Sequence, residues 1–351
     1  MIYKRGFMRI AINGFGRIGR NIARHLLSND DFKNIELVAV NDLGSIDANA
    51  HLLKYDSVHG ILDKDIQVNS EKALISIDDK DVLYLSERDP SNLPWSELDI
   101  DFVFESTGFF TKVDDAIKHI DAGAKKVIIS APSPDVEKTI VYGVNHQILN
   151  SDDVIISNAS CTTNCLAPIV KVIHENFGIK SGLINTVHAS TNDQSLLDVA
   201  HSDLYRARAA SASMIPSKTG AAKAIGLVIP ELDGKLNGLA TRVPTLNVSM
   251  LDLTFESDAN FSIDELHAAL ISSAENELKD VLKINSLPLV SSDFNHNDAS
   301  SIFDTNHTQQ IGNLTKILAW YDNEWGFSKR MLDLGLYFYE ATIKSSIKKS
   351  A

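Results

Sequence analysis

Only two cysteines, Cys161 and Cys165, stand in a chain of 351 residues. One possible bridge cannot staple a protein of this size, so a disulfide scaffold is excluded and a reducing compartment, the cytoplasm, is expected. Their C-x3-C spacing has no second pair beside it and fails as a zinc motif, so no metal site is expected. No apolar run approaches the roughly 20 residues needed to cross a bilayer. Met1–Phe7 carries Lys4 and Arg5 but no apolar segment follows, so it does not read as a secretory signal. Met8, where the first structured run opens, is a candidate natural start. Basic side chains are outnumbered, 33 against 46 acidic, for a formal net charge of −13 without a dense basic run. Nucleic acid is therefore not expected as the main partner. A small anionic substrate remains open, because its site needs only two or three local cations. Repeats and low-complexity linkers are missing too.

What is present is ordinary globular composition, 44% hydrophobic and 23% charged, at a length that suggests two domains. Through the first 160 residues, short runs rich in Val, Ile and Phe read as buried strands: Arg9–Asn13, Ile35–Asn41, Asp101–Glu105, Lys126–Ser130 and Val154–Ser157. Helical patterns at Ile18–Ser28 and Val113–Ala122 lie between some of them. Such alternation implies a parallel sheet covered on both faces. The rhythm then changes. Long strand candidates at Gly182–Ser190, Leu239–Glu256 and Leu314–Tyr321 point to a second domain with a mostly antiparallel or mixed sheet. Ser262 and Glu265 form a capping box ahead of Leu266 and Leu270. Met331, Leu334, Phe338 and Ala341 recur at helical spacing and predict a final amphipathic helix.

Gly14-Phe15-Gly16-Arg17-Ile18-Gly19 is a G-x-G-x-x-G between an apolar strand and a helix. Its glycines suit a tight turn, close approach to a pyrophosphate, and close packing of helix on strand. The helix N-terminus then offers its dipole and free N–H groups to phosphates. The next strand ends in Asn41-Asp42, near the expected spacing for a carboxylate that accepts from an adenosine ribose 2′-OH. The plain alternative is a glycine turn with Asp42 capping a helix. A carboxylate there would repel a 2′-phosphate, so NAD is expected over NADP.

Ser157-Asn158-Ala159-Ser160-Cys161-Thr162-Thr163-Asn164-Cys165 follows an apolar strand, and Leu166, Ile169, Val170 and Ile173 then repeat with helical period. Cys161 falls at or near a helix N-terminus, with Ser160 or Thr162 available as a cap. That position favours a thiolate. Cys165, one turn further in, reads as a small buried hydrophobe. A thiolate attacking an aldehyde needs an acid/base partner. Among eleven histidines, His188 ranks first, narrowly ahead of His201, while His25, His119 and His267 lie on helical patterns without catalytic neighbours.

Taken together, Asn13–Arg20 (NGFGRIGR), Ser157–Pro168 (SNASCTTNCLAP), Arg206–Ala210 (RARAA), the TGAAKA core of Pro216–Ala224, Arg242–Val248 (RVPTLNV) and Trp320–Gly326 (WYDNEWG) carry a resemblance. The chain resembles the phosphorylating glyceraldehyde-3-phosphate dehydrogenases from about Met8 to its final helix. The resemblance implies an α/β Rossmann NAD-binding domain, residues 8–160 plus a C-terminal helix at 327–351, and an α+β catalytic domain at 161–326. It implies a homotetramer in which the stretch from Asp193 to Ile215 lies near a neighbouring cofactor. The expected partners are a triose phosphate and inorganic phosphate, with no membrane partner. By motif, Cys161 is the nucleophile and His188 the acid/base. Thr191, Asp193 and Arg242 fall at the substrate phosphate site. Ser160, Thr162, Thr219 and Gly220 fall at the attacking phosphate site, with Arg206 reaching between the two. Asn323 would hold the nicotinamide carboxamide, and Gly14, Gly16, Arg17, Ile18 and Asp42 would line the dinucleotide, with Thr107 and Ser130 near it. An ionised sulfur at Cys161 is expected to face both the nicotinamide and His188.

Some positions depart from the family's commonest pattern. Phe327 stands where many members have Tyr, Tyr205 where a second arginine is frequent, and Val199-Ala200 where strictly NAD-dependent members often have Leu-Pro. Leu43 after Asp42 still resembles the NAD users. The erythrose-4-phosphate dehydrogenases are the nearest rival family, suggested by His201-Ser202-Asp203-Leu204, Asp293–Asn297 and Trp325-Gly326-Phe327. TGAAKA and the run from Pro230 to Leu236 resemble the triose enzymes instead. A redox-sensing module is the reading from another class. It would need neither a nicotinamide clamp nor paired anion sites.

Overall fold

The computed structural model describes residues 7–350, and the first six residues of the segment read as lacking a signal lie outside them. Residues 7–140, 146–159 and 328–350 form one compact unit; residues 141–145 and 160–327 form another.

In the first unit, β1 (Met8–Asn13) passes through the glycine-rich turn into α1 (Arg17–Ser28) and then β2 (Ile35–Asn41), which pairs parallel to β1. Next come α2 (Ile46–Lys54) and a small hairpin, β3 (Tyr55–Asp56) with β4 (Gly60–Ile61). β5 (Ile66–Asn69), β6 (Leu74–Ile77) and β7 (Lys80–Leu85) follow as a meander. β8 (Phe102–Glu105), α3 (Val113–Asp121), β9 (Lys126–Ile129), β10 (Lys138–Thr139) and β11 (Ile155–Ser157) complete the unit's strands. The sheet order is β10-β11-β9-β8-β1-β2-β7-β6-β5. Every residue of β8 and β9 is buried, as strands covered on both faces require. Strand order reverses about β1, whose neighbours are β8 and β2, and ligands of such sheets lie at the carboxyl ends of strands there. The expected all-parallel rhythm fails at one edge, where β5, β6 and β7 pair antiparallel. Their connections are too short for a crossover.

The final helix, α7 (Trp325–Ser350), presents Phe338 edge-on to Phe102 at 5.4 Å between ring centres. Gly335 allows close packing there: a Cβ would stand 2.8 Å from the Phe104 ring.

In the second unit, α4 (Cys161–Phe177) is buried along most of its length by apolar residues on every face. The strands are β12 (Ser181–Ala189), β13 (Ile215–Lys218), β14 (Leu236–Val243), β15 (Ser249–Glu256), β16 (Leu282–Asn285), β17 (Ser301–Ile311) and β18 (Leu314–Tyr321). They form one mixed sheet, β13-β14-β12-β15-β18-β17-β16, accompanied by α5 (Ala221–Val228) and α6 (Ile263–Glu275). The single strand expected at Leu239–Glu256 is two. Pro244 offers no N–H to a ladder, Thr245 N–H turns back to the Val243 carbonyl at 2.8 Å, and Val248 has φ of +65°. β14 therefore joins β12 in parallel on one side and β15 joins it antiparallel on the other. The capping box at Ser262 and Glu265 is formed in both directions. Among the described residues, no helix is long and apolar enough to cross a membrane.

Candidate active site

A cavity of about 360 Å3 opens at the carboxyl end of β1, with Gly14, Gly16, Asp42 and Thr107 in its wall. Gly14 has φ of +89°, and a Cβ on it would stand 2.6 Å from the Thr107 nitrogen. Both the conformation and the crowding require glycine. A Cβ at Gly19 would meet the Gly14 carbonyl oxygen at 2.2 Å, whereas at Gly16 it would meet nothing within 4 Å. Gly16 is the N-cap of α1, no side chain caps that end, and no acidic residue occupies the first turn. An open groove over a glycine cradle at an uncapped helix N-terminus fits the phosphates of a dinucleotide.

Asp42 accepts from the Phe15 N–H at 2.8 Å, the Gly44 N–H at 2.8 Å and the Asn49 side-chain amide at 3.2 Å. A carboxylate has about four acceptor positions, so one is left for a ribose hydroxyl, and it has no donor for a 2′-phosphate. Arg17 and Ile18 open α1, where the Arg17 guanidinium pairs with Asp56. Burial pushes the Asp56 carboxyl up, but hydrogen bonds from Arg17 and two backbone N–H groups outweigh it and hold the carboxyl below its ordinary range. Ser130 follows β9, with its N–H on the Glu105 carbonyl at 2.9 Å.

In the second unit, Ser160 is the N-cap of α4 and accepts from the Thr163 N–H at 3.1 Å, which makes Cys161 the first residue of the helix. The Cys161 sulfur lies 3.5 Å from His188 Nε2. The imidazole at the sulfur is thus that of His188; His201 lies 3.5 Å from Asp193. Parallel pairing of β12 with β14 sets His188 opposite Arg242. Arg242 Nη1 stands 2.7 Å from His188 Nδ1 and donates to the Ala189 carbonyl at 3.2 Å, while Nδ1 is also 2.7 Å from that carbonyl.

Burial pushes the Cys161 thiol up, against the pull of the Arg242 guanidinium. Burial, then Arg242, pushes the His188 imidazole down to about 3. Burial thus opposes charge on both partners, whereas the helix N-terminus alone favours an ionised sulfur. At the sulfur the helix dipole and the guanidinium act against that desolvation. Cys165 is fully buried, 3.3 Å from the Ser301 hydroxyl, and burial pushes its thiol up to about 12.

Arg206 donates Nε to the Ser217 hydroxyl at 2.7 Å and pairs through Nη1 with Asp193. Thr191 is half-buried at the start of the same loop. Thr219 accepts from the Ala221 N–H at 3.2 Å beside Gly220, the N-cap of α5, where a Cβ would meet nothing within 4 Å. Thr162 is buried, and its hydroxyl lies 2.9 Å from that of Tyr321, which also reaches Thr186 at 2.7 Å. Asn323 accepts through Oδ1 from the Ser249 hydroxyl at 2.8 Å, and Ser249 in turn accepts from the Ala189 N–H at 3.1 Å. Tyr321 and Ser249 thus join the site as well. Tyr321 had a signal, because it lies within WYDNEWG; Ser249 had none.

A glycine cradle on a doubly wound sheet and a cysteine–histidine pair at a helix N-terminus define a dinucleotide-dependent oxidoreductase of the thiol type. Residues 8–113 match the family profile described as "Glyceraldehyde 3-phosphate dehydrogenase, NAD binding domain", and residues 160–323 match "Glyceraldehyde 3-phosphate dehydrogenase, C-terminal domain". Similar proteins include the chromosomal glyceraldehyde-3-phosphate dehydrogenase of Cupriavidus necator, 54% identical over 327 residues, 93% of this chain and 97% of that protein. The glyceraldehyde-3-phosphate dehydrogenase of Pseudomonas aeruginosa is 54% identical over 94% of this chain and 97% of its own length. That of Geobacillus stearothermophilus is 54% identical over 94% and 98%. The chain belongs to the glyceraldehyde-3-phosphate dehydrogenase family.

Proposed function

We propose that this enzyme oxidises D-glyceraldehyde 3-phosphate with NAD and inorganic phosphate to 1,3-bisphosphoglycerate, through a thioester on Cys161. The observation that carries the reading is the Cys161–His188 contact at the N-terminus of α4. As Sγ adds to the aldehyde carbon, its proton passes to Nε2 and from there to the new alkoxide. In the oxidation step Nε2 takes the hydroxyl proton back. NAD, when bound, supplies the acceptor for the hydride that leaves the same carbon. Gly14, Gly16, the α1 N-terminus and Asp42 would hold its phosphates and ribose, and Asn323 its carboxamide. Inorganic phosphate then attacks the thioester carbon, and Cys161 leaves as a thiolate.

A base at Nε2 needs the other ring proton on Nδ1, bonded to the Ala189 carbonyl. Arg242 competes for Nδ1 in the structure. A substrate phosphate that draws the guanidinium to itself leaves Nδ1–H to the carbonyl and Nε2 bare. Thr191 shares that phosphate, and Asp193 serves it by holding Arg206. Ser160, Thr162, Thr219 and Gly220 then serve the attacking phosphate, where charge-assisted hydrogen bonds are strongest. The exposed Leu196, Leu197, Leu204 and Met214 support burial of the loop from Asp193 to Ile215 against another subunit of a homotetramer. The enzyme is assigned to the cytoplasm.

The test is NADH formation by the purified protein with triose or tetrose phosphate, with and without inorganic phosphate, beside Cys161→Ser. Triose turnover should require phosphate and fall at least ~10³-fold in the variant. Phosphate-independent turnover, or a serine variant that keeps its rate, would overturn the reading.

A further inference from the structure

Beneath the dinucleotide cavity lies a buried polar chain that begins at an unambiguous donor. The indole N–H of Trp95 can only donate, and it lies 3.0 Å from His119 Nδ1. Nδ1 is therefore an acceptor, and the proton of the neutral ring sits on Nε2. That nitrogen is 3.1 Å from Glu105 Oε2, which also receives the Asn13 side-chain amide at 2.6 Å. The 3.3 Å approach of Nε2 to the Asn13 nitrogen is the meeting of two donors on one oxygen. The other oxygen, Oε1, receives the Thr107 N–H at 2.8 Å and the Thr107 hydroxyl. Four donors fill the carboxylate's acceptor positions. Trp95, His119, Glu105 and Asn13 are each at most 1% exposed.

The directions propagate to the cavity wall. With its nitrogen on Glu105, Asn13 turns Oδ1 to the Asn41 amide at 2.7 Å. Asn41 Oδ1 then receives the Glu87 N–H at 2.8 Å. The Thr107 hydroxyl, having given its proton to Glu105, accepts from the Phe109 N–H at 3.1 Å and can only accept from a ligand. Asn13, Asn41, Glu87 and Thr107 all line the cavity. Both amides, which isolated packing would leave free to flip, are thus set from one indole.

We propose that Glu105 is a positioning residue of the cofactor site: its carboxylate, aligned through His119 by Trp95, fixes how Asn13 and Thr107 face the dinucleotide. The proposal rests on the NAD reading given above. In Glu105→Gln the shape is kept, but the new amide hydrogens must meet either the Thr107 donors or the His119 and Asn13 donors. Flipping Asn13 to accommodate them turns its nitrogen against that of Asn41.

Calorimetric titration with NAD should show the dissociation constant of Glu105→Gln raised at least tenfold. Its kcat at saturating cofactor should stay within threefold, and alkylation of Cys161 by iodoacetamide should proceed at the wild-type rate. Should that variant fail to fold, Trp95→Phe carries the test. It keeps an aromatic ring at the site, frees Nδ1, and should raise the constant three- to tenfold while moving the His119 nitrogen NMR signals away from the pure Nε2–H tautomer. NAD affinity within twofold of wild type in the folded variants would overturn the proposal, as would a kcat that falls as far as affinity. So would a wild-type His119 protonated on Nδ1. Failure of the wild type to bind NAD would sink the cofactor reading instead, and the His119 signals would still decide the orientation of the chain.

Discussion

The burial of the His188 imidazole makes a prediction about stability. His188 is 3% exposed, and its imidazole is held near 3 against an ordinary 6.5. Between those values the unfolded chain binds a proton that the native state refuses, so protonation favours unfolding. The contribution is complete above about pH 6.5 and is lost as pH falls toward 3. At pH 5 the imbalance amounts to about 2 kcal/mol, from 1.36 kcal/mol multiplied by the logarithm of roughly 30. The perturbation is His188→Asn, which removes the titrating group and keeps a polar side chain. Urea unfolding of both proteins at pH 8 and pH 5 gives the difference between their losses, which cancels the other acidic and basic groups. The wild type should lose about 2 kcal/mol more than the variant over that interval. A smaller loss in the wild type than in the variant would mean that the resting pair is thiolate and imidazolium. The desolvation argument would then be wrong.

Gly14→Ala should cost about 1–3 kcal/mol of native stability from the positive φ alone, and the clash with Thr107 should raise the NAD dissociation constant at least tenfold. Thermal melts and calorimetry check both, and a variant that binds NAD normally would remove the cradle from its role. The acceptor-only carboxylate of Asp42 predicts at least a tenfold preference for NAD over NADP in kcat/KM, about 1.4 kcal/mol, narrowed in Asp42→Ala. Equal efficiency of the wild type with both cofactors would end that argument.

The first unit was legible because its signals are local. β2 runs from Ile35 to Asn41 as its apolar stretch predicts, and the glycine turn sits between β1 and α1 where its spacing puts it. The capping box of α6 reads directly from Ser262 and Glu265. What escaped depends on distant partners. The break at Pro244 was visible as a residue, but the consequence, two strands on opposite sides of β12, is a matter of topology. The antiparallel edge at β5–β7 lacks the helices whose absence marks it, and short strands leave weak periodicity. Within the site, Cys161 and His188, 3.5 Å apart, each carry a chemical and a motif signal in the sequence. Their burial carries no such signal, because desolvation belongs to the packed second unit. His119 reads in the sequence as a helical histidine without catalytic neighbours, and in the structure it is a satisfied interior residue. Its importance lies in Trp95 and Glu105, 24 and 14 residues away.

The parallel ladder between β12 and β14 gives the chemistry a mechanical address. His188 and Arg242 lie side by side only because Gly182 starts opposite Leu236 and no bulge intervenes over eight paired residues. Side chains along a strand alternate between faces, so one residue inserted anywhere between Leu236 and Thr241 would swing the guanidinium to the far side of the sheet. The imidazole's charged neighbour is thus kept in place by main-chain hydrogen bonding over a length of some 25 Å. A cluster built this way tolerates drift in its loops and very little in its ruler.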